Sequence, residues 1–280
     1  MKIRIGYEIS YDLSTPTDLV LLLHLRPELD ASLLAPQILR HNANAQAETF
    51  IDRFGNRSTR LRAPAGTLHL SLESLCQHSG RRDDCSPAAV QHPVADLPSE
   101  VLPYLLPSRY CETDHMGLFV WAKFGAIQGG WARVQAICDY VHARIRFDYL
   151  QACATRTAYE AWQERVGVCR DFTHLAITLC RCLNIPARYA TGYLGDIGVP
   201  RDPAPMDFSA WFEVYLGGRW FTFDARHNCR RIGRLVMAYG LDAADCAFTT
   251  SFGPHLLSKF TILTEEVTAA KLQPQSFVTA

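Results

Sequence analysis

A cysteine becomes a useful nucleophile when its thiolate is stabilised. The first turn of a helix offers that, through free backbone N–H groups and the positive end of the dipole. Cys169 has this setting in Gly167-Val168-Cys169-Arg170-Asp171, at the head of a run whose apolar positions 172, 175, 176, 179 and 183 fall on one helical face. Gly167 permits a tight backbone entry, Arg170 adds local positive charge, and the N–H of the nucleophile can help bind an oxyanion in acyl transfer. A helix-start cysteine is a weak signal by itself. The chain has ten cysteines, and the ordinary fate of most is that of a small core hydrophobe.

A second constellation lies forty residues on. Gly217-Gly218, between two hydrophobic runs, is a strong two-residue hairpin signal that pairs Leu216 with Arg219. Counting back, Trp211 faces Asp224 and Ser209 faces Arg226, so Ser209, Trp211 and Asp224 share a sheet face. Ser209 and Asp224 are then diagonal neighbours about 7 to 8 Å apart. A histidine at 209 would reach Asp224; a serine does so poorly. His227 would point to the opposite face if the strand continued, so it could serve as a base only if the chain turned after Asp224. It is the low-ranked substitute base, its ordinary role being a hydrogen bond within its own loop. His174, about 140° around the helix from Cys169, faces away from the thiol. Trp211 and Trp220 are candidates to line a substrate cleft, with core packing as the commoner fate of a strand aromatic.

These residues need a nucleophile helix packed on an antiparallel sheet, and the surrounding sequence supplies both. Trp131 to Ile145 carries a helical stripe, and Thr157-Ala158-Tyr159-Glu160 reads as a capping box. Asn184-Ile185-Pro186 stops the nucleophile helix before strands at Tyr189 to Leu194, Ser209 to Leu216 and Arg219 to Asp224. Ahead of them, residues 3 to 9, 17 to 25, 48 to 51, 58 to 61 and 68 to 72 read as strands of a small antiparallel β-sandwich, with a Gly55-Asn56 turn between two of them. The polar, proline-bearing stretch from Gln77 to Pro107 has the composition of a domain connection. The expected organisation is α+β, with a β-sandwich domain over 1–92 and the helix-and-sheet core over 93–280.

Composition narrows the function classes. Lys plus Arg and Asp plus Glu are 28 each, so no global field draws the chain to nucleic acid or to an anionic membrane. No apolar run approaches membrane-spanning length and the first residues lack a signal-peptide pattern, which makes a cytoplasmic protein the expectation. The irregularly spaced cysteines then read as reduced thiols. Cys76, His78, Cys85 and His92 match no zinc spacing, so no metal site is assigned, and no acidic loop suggests calcium. No cofactor is required by thiol chemistry.

Three blocks together resemble the bacterial transglutaminase-like family, which is similar to papain in its thiol chemistry. They are Gly167-Val-Cys169-Arg-Asp-Phe-Thr-His-Leu, Ile185-Pro-Ala-Arg-Tyr-Ala-Thr-Gly-Tyr193, and Asp207-Phe-Ser-Ala-Trp-Phe-Glu-Val-Tyr-Leu-Gly-Gly-Arg-Trp-Phe-Thr-Phe-Asp224-Ala-Arg-His-Asn228. The β-rich amino-terminal segment with Phe54-Gly-Asn-Arg57 resembles the small domain that often precedes this core. The resemblance implies Cys169 as nucleophile, Asp224 as the group that orients an imidazole, and a histidine where Ser209 stands. It implies a cysteine peptidase or acyltransferase acting on amide bonds of a peptide or protein. The departure at Ser209 leaves open an inactive peptide- or protein-binding module on the same fold.

Overall fold

The structure is a computed structural model that describes residues 1–267. Strands β1 (Lys2–Leu13), β2 (Thr17–Leu21), β3 (Arg40–His41), β4 (Glu48–Ile51), β5 (Arg57–Ala63) and β6 (Gly66–Gln77) come first. Then follow α1 (Gly117–Phe124), α2 (Gly130–Arg144), β7 (Arg146–Phe147), α3 (Ala158–Glu164), β8 (Val166–Gly167), α4 (Cys169–Cys182), β9 (Ala187–Tyr193), β10 (Ser209–Leu216) and β11 (Arg219–Phe223). The last strands are β12 (Leu235–Gly240), β13 (Thr249–Ser251) and β14 (His255–Val267).

Two four-stranded antiparallel sheets, ordered β14-β1-β6-β3 and β13-β2-β5-β4, make the amino-terminal sandwich. Alternation along β1 drives it, because Ile3, Ile5, Tyr7, Ile9 and Tyr11 all point inward and are buried against Leu19, Leu21, Leu61 and Leu70. Residues 249–267 supply one strand to each of these sheets: β14 runs beside β1 from His255 opposite Leu13 to Val267 opposite Lys2. The sandwich read from the first residues of the chain thus draws strands from beyond residue 240. Asn56, expected at the tip of a turn, is fully buried. Its side chain bonds the N–H and the carbonyl of Tyr239, each at 2.8 Å, and ties the β4–β5 hairpin to β12.

A third antiparallel sheet, β11-β10-β9-β12, carries the core. Gly217 and Gly218 take φ of 55° and 86°, the left-handed pair that a type I′ turn demands. The turn seats Leu216 opposite Arg219 and Phe212 opposite Phe223, the register read from the glycines. One face of this sheet, with Ala210, Phe212, Val214, Phe221 and Phe223, packs on α4. Tyr193 at the end of β9, Phe208 just before β10, and Leu235 and Met237 of β12 pack on the sandwich. Helix α4 is buried on nearly every side rather than along a stripe, since α1, α2 and α3 cover what the sheet does not. Its buried Arg181 donates to the carbonyls of Leu106, Ala187 and Leu241, which explains the polar residue between Cys180 and Cys182. Thr157 and Glu160 form the expected reciprocal cap of α3.

Leu175 is fully buried on α4. Leu175→Ala should destabilise the protein by about 2–5 kcal/mol through lost transfer energy and a residual cavity, read as a lowered urea midpoint at constant slope.

Candidate active site

The head of α4 is built by Asp171. Its carboxylate turns back to accept the N–H of Val168 at 2.8 Å, satisfying one of the free donors of the first turn. A Cβ on Gly167 would lie 2.5 Å from that carboxylate oxygen, so glycine is required for the fold-back. Buried Arg156 donates to Asp171 at 3.3 Å and to Glu164 at 2.8 Å, which fixes the entry from α3. Arg170 is directed away from the thiol, to the carbonyls of Cys153 and Ala154 and over the Tyr110 ring. The positive charge expected from Arg170 is therefore spent on a neighbouring loop.

The cation that acts on Cys169 is Arg226. Burial, and next the carboxylate of Asp207, push the Cys169 thiol up to about 11, while Arg226 and the backbone N–H of Ala210 oppose the shift. Arg226 is itself held with its guanidinium 3.8 Å from the centre of the Phe147 ring. Asp207 is an exposed residue, yet desolvation of its carboxyl moves it up to about 6 against the pull of Arg226. Cys169 is a neutral thiol at neutral pH in this arrangement.

Asp224 ends the hairpin and is almost fully buried. Its Oδ1 accepts the backbone N–H groups of Arg226 at 3.0 Å and His227 at 2.9 Å, and its own carbonyl accepts the N–H of Asn228 at 2.8 Å. This side-chain-capped turn stops the strand at Phe223. The chain therefore does turn, and His227 does not reach the opposite face. Its Nδ1 lies 2.8 Å from Asp224 Oδ2. The same oxygen accepts from Arg234 at 2.8 Å, and Arg234 also reaches Asp83 at 3.0 Å. Although burial works the other way, Arg234 and then His227 hold the Asp224 carboxyl well below the usual carboxylate range.

Ser209 opens β10, paired with Gly192, and lines a shallow cleft together with Tyr149, Asp202, Asp207, Arg226 and His227. The structure therefore brings Ser209, His227 and Asp224 to one corner, with Cys169 at the helix head beside it. No imidazole is hydrogen-bonded to the Cys169 sulfur among the described residues. Trp211 is fully buried, its ring 4.8 Å from the Arg234 guanidinium, so it backs Asp224 and offers no surface to a cleft. Trp220 stands four residues before Asp224, about 13 Å away along the strand, among Tyr104, Tyr215 and Arg188. Both tryptophans thus fall outside the cleft they were candidates to line. His174 is buried and accepts the Ala243 N–H on Nε2 at 3.1 Å. Arg226, Asp207 and Arg234 had no distinguishing pattern in the sequence. A positive φ of 47° at Asn228 marks the turn that a Gly or Asn signal could have suggested. Among the described residues no group of three or more His, Cys, Asp or Glu is arranged to hold a metal ion, and no helix is long and apolar enough to cross a membrane.

Residues 122–225 match the transglutaminase-like superfamily. A solved structure of a candidate cysteine protease from Cytophaga hutchinsonii is 32% identical and superposes with a TM-score of 0.83 over 96% of this chain and 91% of that one. An uncharacterized protein of Mycobacterium leprae is 28% identical over 114 residues, 38% of this chain. The match spans 39% of that curated relative's length.

The Asp224 pairing has a definite pH signature. Its folded value is depressed, so the stability it contributes is present above the unfolded carboxylate value of about 3.9 and is lost as pH falls below that toward the folded value. Asp224→Asn should cost about 3 kcal/mol at neutral pH, because Arg234 is left with Asp83 alone. It should also flatten the acid limb of the stability curve below about pH 4, where the wild type declines. Urea unfolding across pH measures both.

Proposed function

The chain belongs to the transglutaminase-like superfamily, and we propose that it is a cysteine acyl-transfer enzyme in which His227, held by Asp224, supplies the imidazole that Ser209 does not. The observation that carries this reading is the 2.8 Å bond from His227 Nδ1 to Asp224 Oδ2, in a loop that shares its cleft with Ser209. A carboxylate on Nδ1 fixes the tautomer and leaves Nε2 to take a proton.

In the proposed reaction the Cys169 sulfur attacks the carbonyl carbon of a peptide or protein amide. His227 Nε2 takes the thiol proton in the same step, as befits a thiol that is neutral at rest. The N–H of Cys169 at the helix head faces the developing oxyanion. Collapse breaks the C–N bond, with the proton passing from His227 to the leaving amine, and a thioester remains on Cys169. Water or a second amine then takes the acyl group and restores the thiol. Neither a metal nor a cofactor enters these steps. The reading includes a cytoplasmic setting, and neither nucleic acid nor a membrane as partner.

A second reading, a module that binds a peptide without turning it over, is favoured by one observation. Burial pushes the thiol up to about 11, and among the described residues it bonds to no imidazole.

A panel of fluorogenic peptide amides tests the two. Turnover lost in Cys169→Ala and reduced on the order of 10³- to 10⁴-fold in His227→Gln supports the enzyme with a rerouted base. Recovery when Ser209→His is added to His227→Gln would place both imidazoles on the same carboxylate. Full turnover in His227→Gln would sink the role given to that residue. Peptide binding by the wild type and Cys169→Ala alike, with no thiol-dependent product, would establish the binding module instead.

A further inference from the structure

Of the ten cysteines, Cys85 and Cys229 are the two exposed ones, and both line one cavity of about 260 Å³. The cavity lies between α2, the edge strand β11 and two irregular runs, 83–85 and 228–230. These runs are joined in a short antiparallel pairing. Arg82 bridges Ile232, and the Asp83 N–H donates to the Arg231 carbonyl at 2.8 Å. The Arg231 N–H donates to the Asp83 carboxylate at 2.9 Å, and Arg230 Nε donates to the Asp83 carbonyl at 2.6 Å. Carried two residues further along each run, the register of Arg82 with Ile232 and of Asp83 with Arg231 would set Cys85 opposite Cys229, on the same face. Opposed antiparallel residues have Cα atoms about 4.5–5.5 Å apart, within the roughly 4.4–6.8 Å that a disulfide spans. The third cysteine of the cavity, Cys138, is buried, and burial holds it firmly as a thiol.

We propose that Cys85 and Cys229 are a redox modification site, forming a reversible disulfide across these paired runs. With glutathione disulfide as oxidant, one protein thiolate attacks a glutathione sulfur, breaking that S–S bond and releasing one glutathione thiolate. The second protein thiolate attacks the mixed disulfide at the protein sulfur and releases the other. Two protein thiols are oxidised, one glutathione disulfide is reduced to two glutathiones, and the two protons pass to the released thiolates.

Cys229 is two residues beyond His227, and Asp83, two residues before Cys85, holds Arg234 against Asp224. The bond therefore staples the His227 loop to the segment that supports its carboxylate partner. This consequence for the site rests on the proposed role of His227; the disulfide does not.

Folded protein at low concentration is incubated with glutathione disulfide, quenched with N-ethylmaleimide, digested and mapped by mass spectrometry. The expected result is a Cys85–Cys229 linked peptide and the loss of two thiols of the ten, reversed by dithiothreitol. Cys229→Ser should instead stop at a glutathione adduct on Cys85. Stable adducts on both cysteines without a link, a link through another cysteine, or a disulfide-linked dimer would overturn the proposal. So would no reaction at either residue. Hydrogen exchange of Arg226 to Cys229 should slow in the oxidised form; unchanged exchange with the link in place would overturn the stapling. None of these readouts needs turnover, so they stand or fall apart from the enzymatic reading.

Discussion

A buried carboxylate has to be compensated, and around Asp224 that requirement organises the whole corner of the molecule. Its two oxygens collect two backbone N–H groups, an imidazole and a guanidinium. The backbone pair ends β11 and sets the turn, the imidazole is His227, and the guanidinium of Arg234 extends the network to Asp83 in the connecting segment. Charge-assisted bonds of this kind are short and directional, so the anion fixes positions as well as balancing charge. Trp211, fully buried with its ring 4.8 Å from the Arg234 guanidinium, shields that side of the network, and partial burial strengthens its bonds.

The head of α4 follows a different rule. The helix dipole favours a thiolate at Cys169, but burial and the carboxylate of Asp207 outweigh it together with Arg226. Arg170, the charge nearest in sequence, is occupied by the carbonyls of Cys153 and Ala154. The result is a sheltered thiol whose ionisation is disfavoured, with no imidazole hydrogen-bonded to its sulfur among the described residues.

Much of this was legible in the sequence. Gly217-Gly218 set the register that puts Trp211 level with Asp224, because left-handed backbone at both positions leaves few other turns. Gly167 marked the tight entry to the helix; that the fold-back of the Asp171 carboxylate is what requires it came from the structure. The place of His227 was not legible, because it depends on whether β11 continues, and its end is decided by hydrogen bonds to a buried side chain rather than by a local turn residue. Arg234 and Asp83 were invisible for a related reason. They meet across more than 150 residues, and a lone arginine or aspartate carries no periodicity. The strands after residue 240 were also missed, because their pairing with β1 and β2 is set by partners at the far end of the sequence.

That last pairing has a consequence for how the molecule comes into being. Lys2 sits opposite Val267, and β1 lies between β14 and β6. During synthesis the sandwich that emerges first stands with an open edge until some 180 residues beyond β6 have followed it. Contacts so distant in sequence slow folding and leave a hydrophobic strand edge exposed meanwhile. The early strands β1 and β2 are thus completed only when β14 and β13 have followed them, after the whole helix-and-sheet core.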